Sequence, residues 1–152
     1  MDILIYTICL YFLCVSAIID IETHKVPNEI SYLAIIMGFS INYISSPETL
    51  WINLAMAIPF IVLGFINAMG MGDVKLFIAI IAFSGIEVLL YTLILSELMF
   101  IICKAMTRKS EFIVSVNSIK NLSLNRNLNE GFPFAPFIAV GFYVAYFALR
   151  IL

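Results

Sequence analysis

The sequence predicts an all-α, polytopic membrane protein with about six transmembrane helices, the fourth of them short or broken. Three observations predict it. Hydrophobic residues make up 63% of the 152 residues and charged residues only 12%, where a soluble domain carries roughly a quarter charged residues. The mean hydropathy is +1.09. The apolar residues also fall into six runs divided by short polar or glycine-bearing segments. A spanning helix needs about 20 residues, so six spans use about 120 and leave space for loops but not for a second folded domain. The chain 1–152 therefore reads as one transmembrane domain. The same composition excludes a disordered chain and an ordinary soluble enzyme, and a net charge of −2 offers no basic surface to nucleic acid.

The first run extends from Ile3 to Ile19 and stops at Asp20-Ile21-Glu22-Thr23-His24-Lys25. No Lys or Arg precedes it and no A-x-A-like site follows it, so it reads as a retained helix and not as a signal peptide. The second run, Ile30 to Ile44, ends in Ser45-Ser46-Pro47-Glu48. The third, Leu50 to Met69, ends in Gly70-Met71-Gly72-Asp73, and its Pro59 is expected to kink it. The fourth, Val74 to Phe83, is too short to span at about 1.5 Å per residue unless Asp73 and Lys75 lie within the membrane. The glycine turn before it thus reads as a broken or half-buried helix start. After Ser84-Gly85 the fifth run reaches about Met106, and the sixth covers Phe134 to Leu152. Helix is the expected state throughout, because backbone groups in lipid must be satisfied within the segment and the alternation of a barrel strand is absent.

One polar loop, about 107–131, is rich in Ser, Asn and Lys. It also carries Phe112, Val116, Ile119 and Leu122 at near-helical spacing. That pattern fits an interfacial amphipathic helix and fits a solvated connector equally. With six spans, the odd loops hold Lys25, Lys75, Lys104, Arg108, Lys109, Lys120 and Arg126, the even loops hold no Lys or Arg, and only Arg150, near the C-terminus, lies on the other side. The excess of basic residues marks the cytoplasmic side. Both termini are then expected outside, with Asp20 and Asp73 at the cytoplasmic face of the cell membrane. The three cysteines lie in apolar stretches without a C-x-x-C pair, so they indicate neither a zinc knuckle nor a disulfide framework.

Asp20 ends the first span and Asp73 follows the third, so two spans, the second and third, lie between them, and two crossings return the chain to the same face. Two carboxylates sharing one site cannot easily both ionise, so one holds a proton while the other serves as a general base. Such a pair activates water against a peptide carbonyl and protonates the leaving nitrogen. An aspartate at the end of a span can also simply cap a helix. The surroundings distinguish the two readings. Asp73 follows Gly70-Met71-Gly72, where glycines permit a tight turn, close backbone approach or a positive φ. Asp20 is followed seven residues later by Pro27-Asn28.

This pair of motifs resembles the type IV prepilin peptidase family, which includes archaeal preflagellin peptidases and belongs to the G-x-G-D membrane aspartic peptidases. The family's first motif is an Asp with Pro-Asn seven residues on, matched by Asp20, Pro27 and Asn28. Its G-x-G-D-x-K motif is matched by Gly70, Gly72, Asp73 and Lys75. Pro133-Phe134-Ala135-Pro136-Phe137 is similar to the family's P-F-G-P-F before the last span, with Ala135 in place of glycine. The resemblance implies catalysis by Asp20 and Asp73, with Gly70, Gly72, Lys75, Pro27 and Asn28 shaping the site or binding substrate. It implies single-span prepilin-like precursors as partners, within membrane lipid. Many bacterial members carry an N-terminal region with two C-x-x-C pairs linked to methylation. This chain has neither, so the resemblance implies cleavage without N-methyltransferase activity, with no cofactor and no metal.

Other residues have plainer readings. His24 sits in a polar turn and reads as solvated. Glu22 and Glu29 read as loop charges that can also meet a basic substrate segment. Lys75 is expected to pair with Asp73 or to meet lipid phosphate. Asn53 and Asn67 read as interhelical hydrogen-bonding groups. Glu97 falls within the fifth run, where an acid is costly and a functional candidate by default. It supports the rival reading, a small transporter or channel subunit using Asp20, Asp73 and Glu97 as a proton or cation path. Transport favours acids spread through the membrane, whereas the two motif acids share one face.

Overall fold

The computed structural model describes residues 2–67, 69–107 and 133–151. These form five helices: α1 (Asp2–Thr23), α2 (Asn28–Ser45), α3 (Pro47–Phe65), α4 (Met71–Thr107) and α5 (Ala135–Ile151). No strand occurs among the described residues. Three helices, α1, α3 and α4, are long and apolar enough to cross a membrane, and α5 is a shorter apolar helix. The amphipathic spacing between Phe112 and Leu122 lies outside the described residues.

The helix boundaries follow local chemistry. α1 ends where His24 takes a left-handed backbone, φ 53, and its N–H returns to the Asp20 carbonyl at 2.8 Å. A left-handed residue just past the last turn satisfies an otherwise orphaned carbonyl. Pro27 stands extended (φ −67, ψ 130) before α2, and the Ser31 hydroxyl donates to its carbonyl at 3.0 Å. The expected Ser45–Glu48 loop shrinks to Ser46 alone. Pro47 takes the start of α3, where its missing N–H leaves no intrahelical bond unmade. α3 runs on through Pro59 and ends at Phe65. Asn67 is exposed and left-handed (φ 55), so it terminates the helix and does not serve as the interhelical group expected of it.

The fourth and fifth apolar runs, expected as separate helices, are one element of 37 residues broken at Gly85 (φ 82, ψ 177). A straight helix would hold Asp73 and Glu97 about 36 Å apart. Yet Gly72 abuts Val26 near Asp20, and Phe100 packs on Phe134, next to the Ala135 amide that Asp20 accepts, so the chain doubles back at Gly85. This φ explains why glycine stands there: a β-carbon is disfavoured in the left-handed region.

The first half of α4 is the centre of the bundle. From Val74 to Phe83 every residue except Lys75 is buried. A helix apolar all round needs neighbours on every side, and α1, α2, α3 and α5 all contact α4. Outward-facing side chains are apolar too, with Ile44 81% and Trp51 74% exposed. Between lipid-facing helices, association rests on close packing rather than on expulsion of water. The seams accordingly use small residues. A β-carbon on Gly38 would lie 2.8 Å from that of Ala82, and one on Gly141 would lie 2.9 Å from the Thr92 carbonyl oxygen. Tyr6 of α1 packs on Tyr146 of α5 with ring centroids 4.2 Å apart.

Candidate active site

Asp20 occupies the last turn of α1 and is buried at 6% exposure. A buried carboxylate needs donors. Asp20 Oδ2 accepts the backbone N–H of Ala135 at 3.1 Å. Ala135 is the first residue of α5, where N–H groups are unpaired and the helix dipole favours negative charge. The segment that supplies this donor is fixed by aromatic contacts. Phe100 of α4 meets Phe134 and Phe137 edge-on, at centroid distances of 5.3 and 5.6 Å. The sequence singled out Pro133–Phe137 as a motif but assigned Ala135 no site role, because a backbone donor leaves no mark on residue type. Phe100 carries no signal in a run that is apolar throughout.

Asp73 lies in the first turn of α4 and is partly buried. Its carboxyl is within electrostatic range of both Asp20 and Glu97. Glu97 reaches this end of the molecule through the reversal at Gly85. The three acids thus lie toward one end of the bundle, with Glu97 exposed on the second half of α4.

The two glycines before Asp73 are explained by space. Neither has a positive φ; among the described glycines that belongs to Gly85. The Asp73 carboxylate folds back toward Gly70, where a β-carbon would stand 3.0 Å from Oδ2. A β-carbon on Gly72 would meet Val26 at 3.1 Å. Gly72 is therefore the point at which the segment leading from Asp20 to Pro27 touches the start of α4. Lys75 goes to a partner not among those expected: its amine donates to Asn28 Oδ1 and lies over the Tyr32 ring, 5.1 Å from the centroid. His24, Glu22 and Glu29 are exposed. One turn before Asp20, the Ser16 hydroxyl is buried without a hydrogen-bond partner.

At the other end of the bundle a cleft of about 380 Å³ opens between α1, α2, α3 and the Gly85 break. Asn53 is buried there, and its Oδ1 would lie 3.6 Å from a β-carbon on Gly85. Ile5 and Tyr6 line the cleft, about 21 Å along α1 from Asp20. It is thus separate from the three acids. Among the described residues no group of three or more His, Cys, Asp and Glu side chains is arranged to hold a metal ion.

An apolar helical bundle with Asp20 buried at one end and Asp73 at the same end defines a helical membrane protein with an acidic site. Residues 7–104 match the type IV leader peptidase family, and the chain belongs to that family. Membership makes it a protease. The matched segment contains Asp20, Pro27, Asn28, Gly70, Gly72, Asp73 and Lys75. The Ala135 amide lies beyond it. No curated protein and no solved structure matches the chain closely enough to be reported as similar.

Proposed function

We propose that the protein is a membrane aspartic endopeptidase that removes the short leader of prepilin-like precursors, among them type IV pilins, pseudopilins, Flp pilins and archaellins. The reading rests on family membership together with one observation: Asp20 and Asp73, from different helices, share one neighbourhood. One carboxylate takes a proton from water as the oxygen attacks the scissile carbonyl. The other, protonated, donates to the leaving nitrogen as the C–N bond breaks. Gly70 and Gly72 keep β-carbons away from Asp73 and from the Val26 contact, while Pro27, Asn28 and Lys75 shape the turn beside it. The chain's own groups complete this cycle without a metal, a methyl donor or nucleic acid.

In this reading the chain crosses six times, with the halves of α4 as the fourth and fifth crossings, and this end of the bundle faces the cytoplasm, with both termini outside. The segregation of Lys and Arg onto the odd loops supports that orientation. A single-span precursor would present its leader there, before its apolar helix enters the bilayer. The convergence of all three acids at one end disfavours an ion path, which needs groups at successive depths.

The test is co-expression with a short-leader, single-span precursor, read as a mobility shift. Cleavage is expected, and it should survive EDTA. An uncleaved precursor in the presence of well-inserted enzyme would count against the peptidase assignment. Activity lost in EDTA and restored by metal would overturn the metal-free mechanism.

A further inference from the structure

We propose that Lys75 and Asn28 form a positioning clamp that holds the start of α2 against the start of α4 and thereby sets the separation of Asp20 and Asp73. The inference rests on the peptidase reading and gives two of its residues a task other than touching substrate.

The geometry begins on α4. Successive helical residues are about 100° apart, so Asp73 and Lys75 point to nearly opposite sides of one turn. Lys75 is thereby carried away from the carboxyl two residues before it and toward α2. There it meets two groups on one face. Asn28 and Tyr32 are four residues apart, neighbours along a helix surface. Asn28 Oδ1 accepts the amine, and the Tyr32 ring takes the charge on its face. An ammonium has three donors and no acceptor, and the amide oxygen and ring face both complement it.

A second contact lies beside the first. Gly72 abuts Val26, so near that a β-carbon would stand 3.1 Å away. Val26 and Asn28 flank Pro27, whose ring restricts the backbone between them. The segment from Asp20 to Asn28 is thus tied to the turn carrying Asp73 at two points, one apolar and one polar. The repulsion and proton sharing of two carboxyls depend steeply on their distance. A loosened clamp therefore alters catalysis without removing any group that touches substrate. Asn28 and Lys75, one from each of the two motifs, are the two ends of one bond.

The test compares Lys75→Met, Asn28→Ala, the double variant and Lys75→Arg in purified enzyme cleaving a short-leader, single-span precursor. A misplacement of about 1 Å can cost up to about a hundredfold in rate. The clamp predicts a loss in kcat of about tenfold for each single variant, with KM within about twofold and both limbs of the pH profile unmoved. The double variant should lose no more than the worse single, and Lys75→Arg should recover most of the rate. Unchanged kcat in Lys75→Met overturns the clamp. A rise in KM alone makes Lys75 a substrate-binding group. A displaced acid limb makes it an electrostatic partner of Asp73. A second measurement is independent of activity. Spin labels at Glu29→Cys and Met71→Cys, with Cys9, Cys14 and Cys103 replaced by Ser, report the spacing of α2 and α4. Their distance distribution should broaden in Lys75→Met, and an unbroadened one refutes the clamp even where no precursor is cleaved. Failure of wild-type cleavage with the spacing intact condemns the peptidase reading instead.

Discussion

Asp20 and Asp73 differ in their surroundings although they belong to one proposed dyad. Asp20 is buried and held by the Ala135 amide, whereas Asp73 is only partly buried and turns back over Gly70. Asparagine preserves the size of either side chain but neither accepts nor releases the proton. Asp20→Asn and Asp73→Asn are each expected to reduce precursor cleavage by at least about a hundredfold, general acid–base groups being worth roughly 10²–10⁴. Membrane fractionation should find both variants inserted. Full activity in either one removes that residue from the mechanism. His24 offers a contrasting substitution. Its backbone is left-handed at φ 53 and its side chain is exposed. Glycine relieves a conformation that costs an L-residue about 1 kcal/mol, although it also loosens the unfolded chain. His24→Gly is therefore expected to leave cleavage intact and thermal stability in detergent equal or higher. A marked fall in the midpoint would show that the imidazole itself holds the turn.

Two glycines of α4 do different work, and substitution separates them. Gly85 carries the reversal, so Gly85→Val strains the backbone at φ 82 and threatens the return of Glu97 toward Asp73. The expected result is loss of folded protein in detergent, read by size-exclusion chromatography. In the sequence Gly85 marks only the interruption between the fourth and fifth apolar runs. A valine there strains the backbone itself, whereas at Gly72 it meets only a neighbouring side chain. Gly72→Val should insert and fold but lose activity, because its branches drive Val26 and the α1–α2 turn away from α4. Gly72→Ala, with one carbon at 3.1 Å from Val26, should fall between. Normal cleavage by Gly72→Val would show that this contact does not hold the site.

For the molecule as a whole, the orientation proposed from charge is tested by fusion. A reporter inserted in the 107–131 loop should read cytoplasmic, and one at Ser46 external, if basic loops stay inside. Single-cysteine labelling that puts positions 20 and 73 on opposite sides would exclude a dyad. The same convergence governs pH dependence. A shared pair loses its protons in two macroscopic steps. Below the lower step both carboxyls are protonated and no base is present; above the upper step both are ionised and no acid remains. Cleavage by the proposed dyad should therefore be bell-shaped in pH. A rate that climbs steadily with acidity would mean that a single protonated group suffices.

The one-dimensional pattern was enough to place the apolar runs, because lipid imposes a length and a polarity on every crossing segment. It was enough, too, to single out Asp20 and Asp73, since charge is rare in such a chain and each aspartate stands inside a spaced motif. Breaks were harder to read. Gly85 and Ser46 both lie in polar-looking interruptions, yet one turns a continuous helix back on itself and the other is a single residue between α2 and α3. What tertiary structure alone decided are the contacts between segments distant along the chain: the Ala135 amide on Asp20, Lys75 on Asn28, Gly72 against Val26, and Phe100 against Phe134. A backbone donor has no residue-type signature, and a lysine two places from an aspartate invites a pairing that the 100° helical step turns aside. Composition and spacing mark which segments are apolar enough to enter the membrane and which residues are candidates for chemistry. The packing of α4 at the centre determines which of those residues meet, because only the reversal at Gly85 and the small-residue seams fix how the helix ends are brought together.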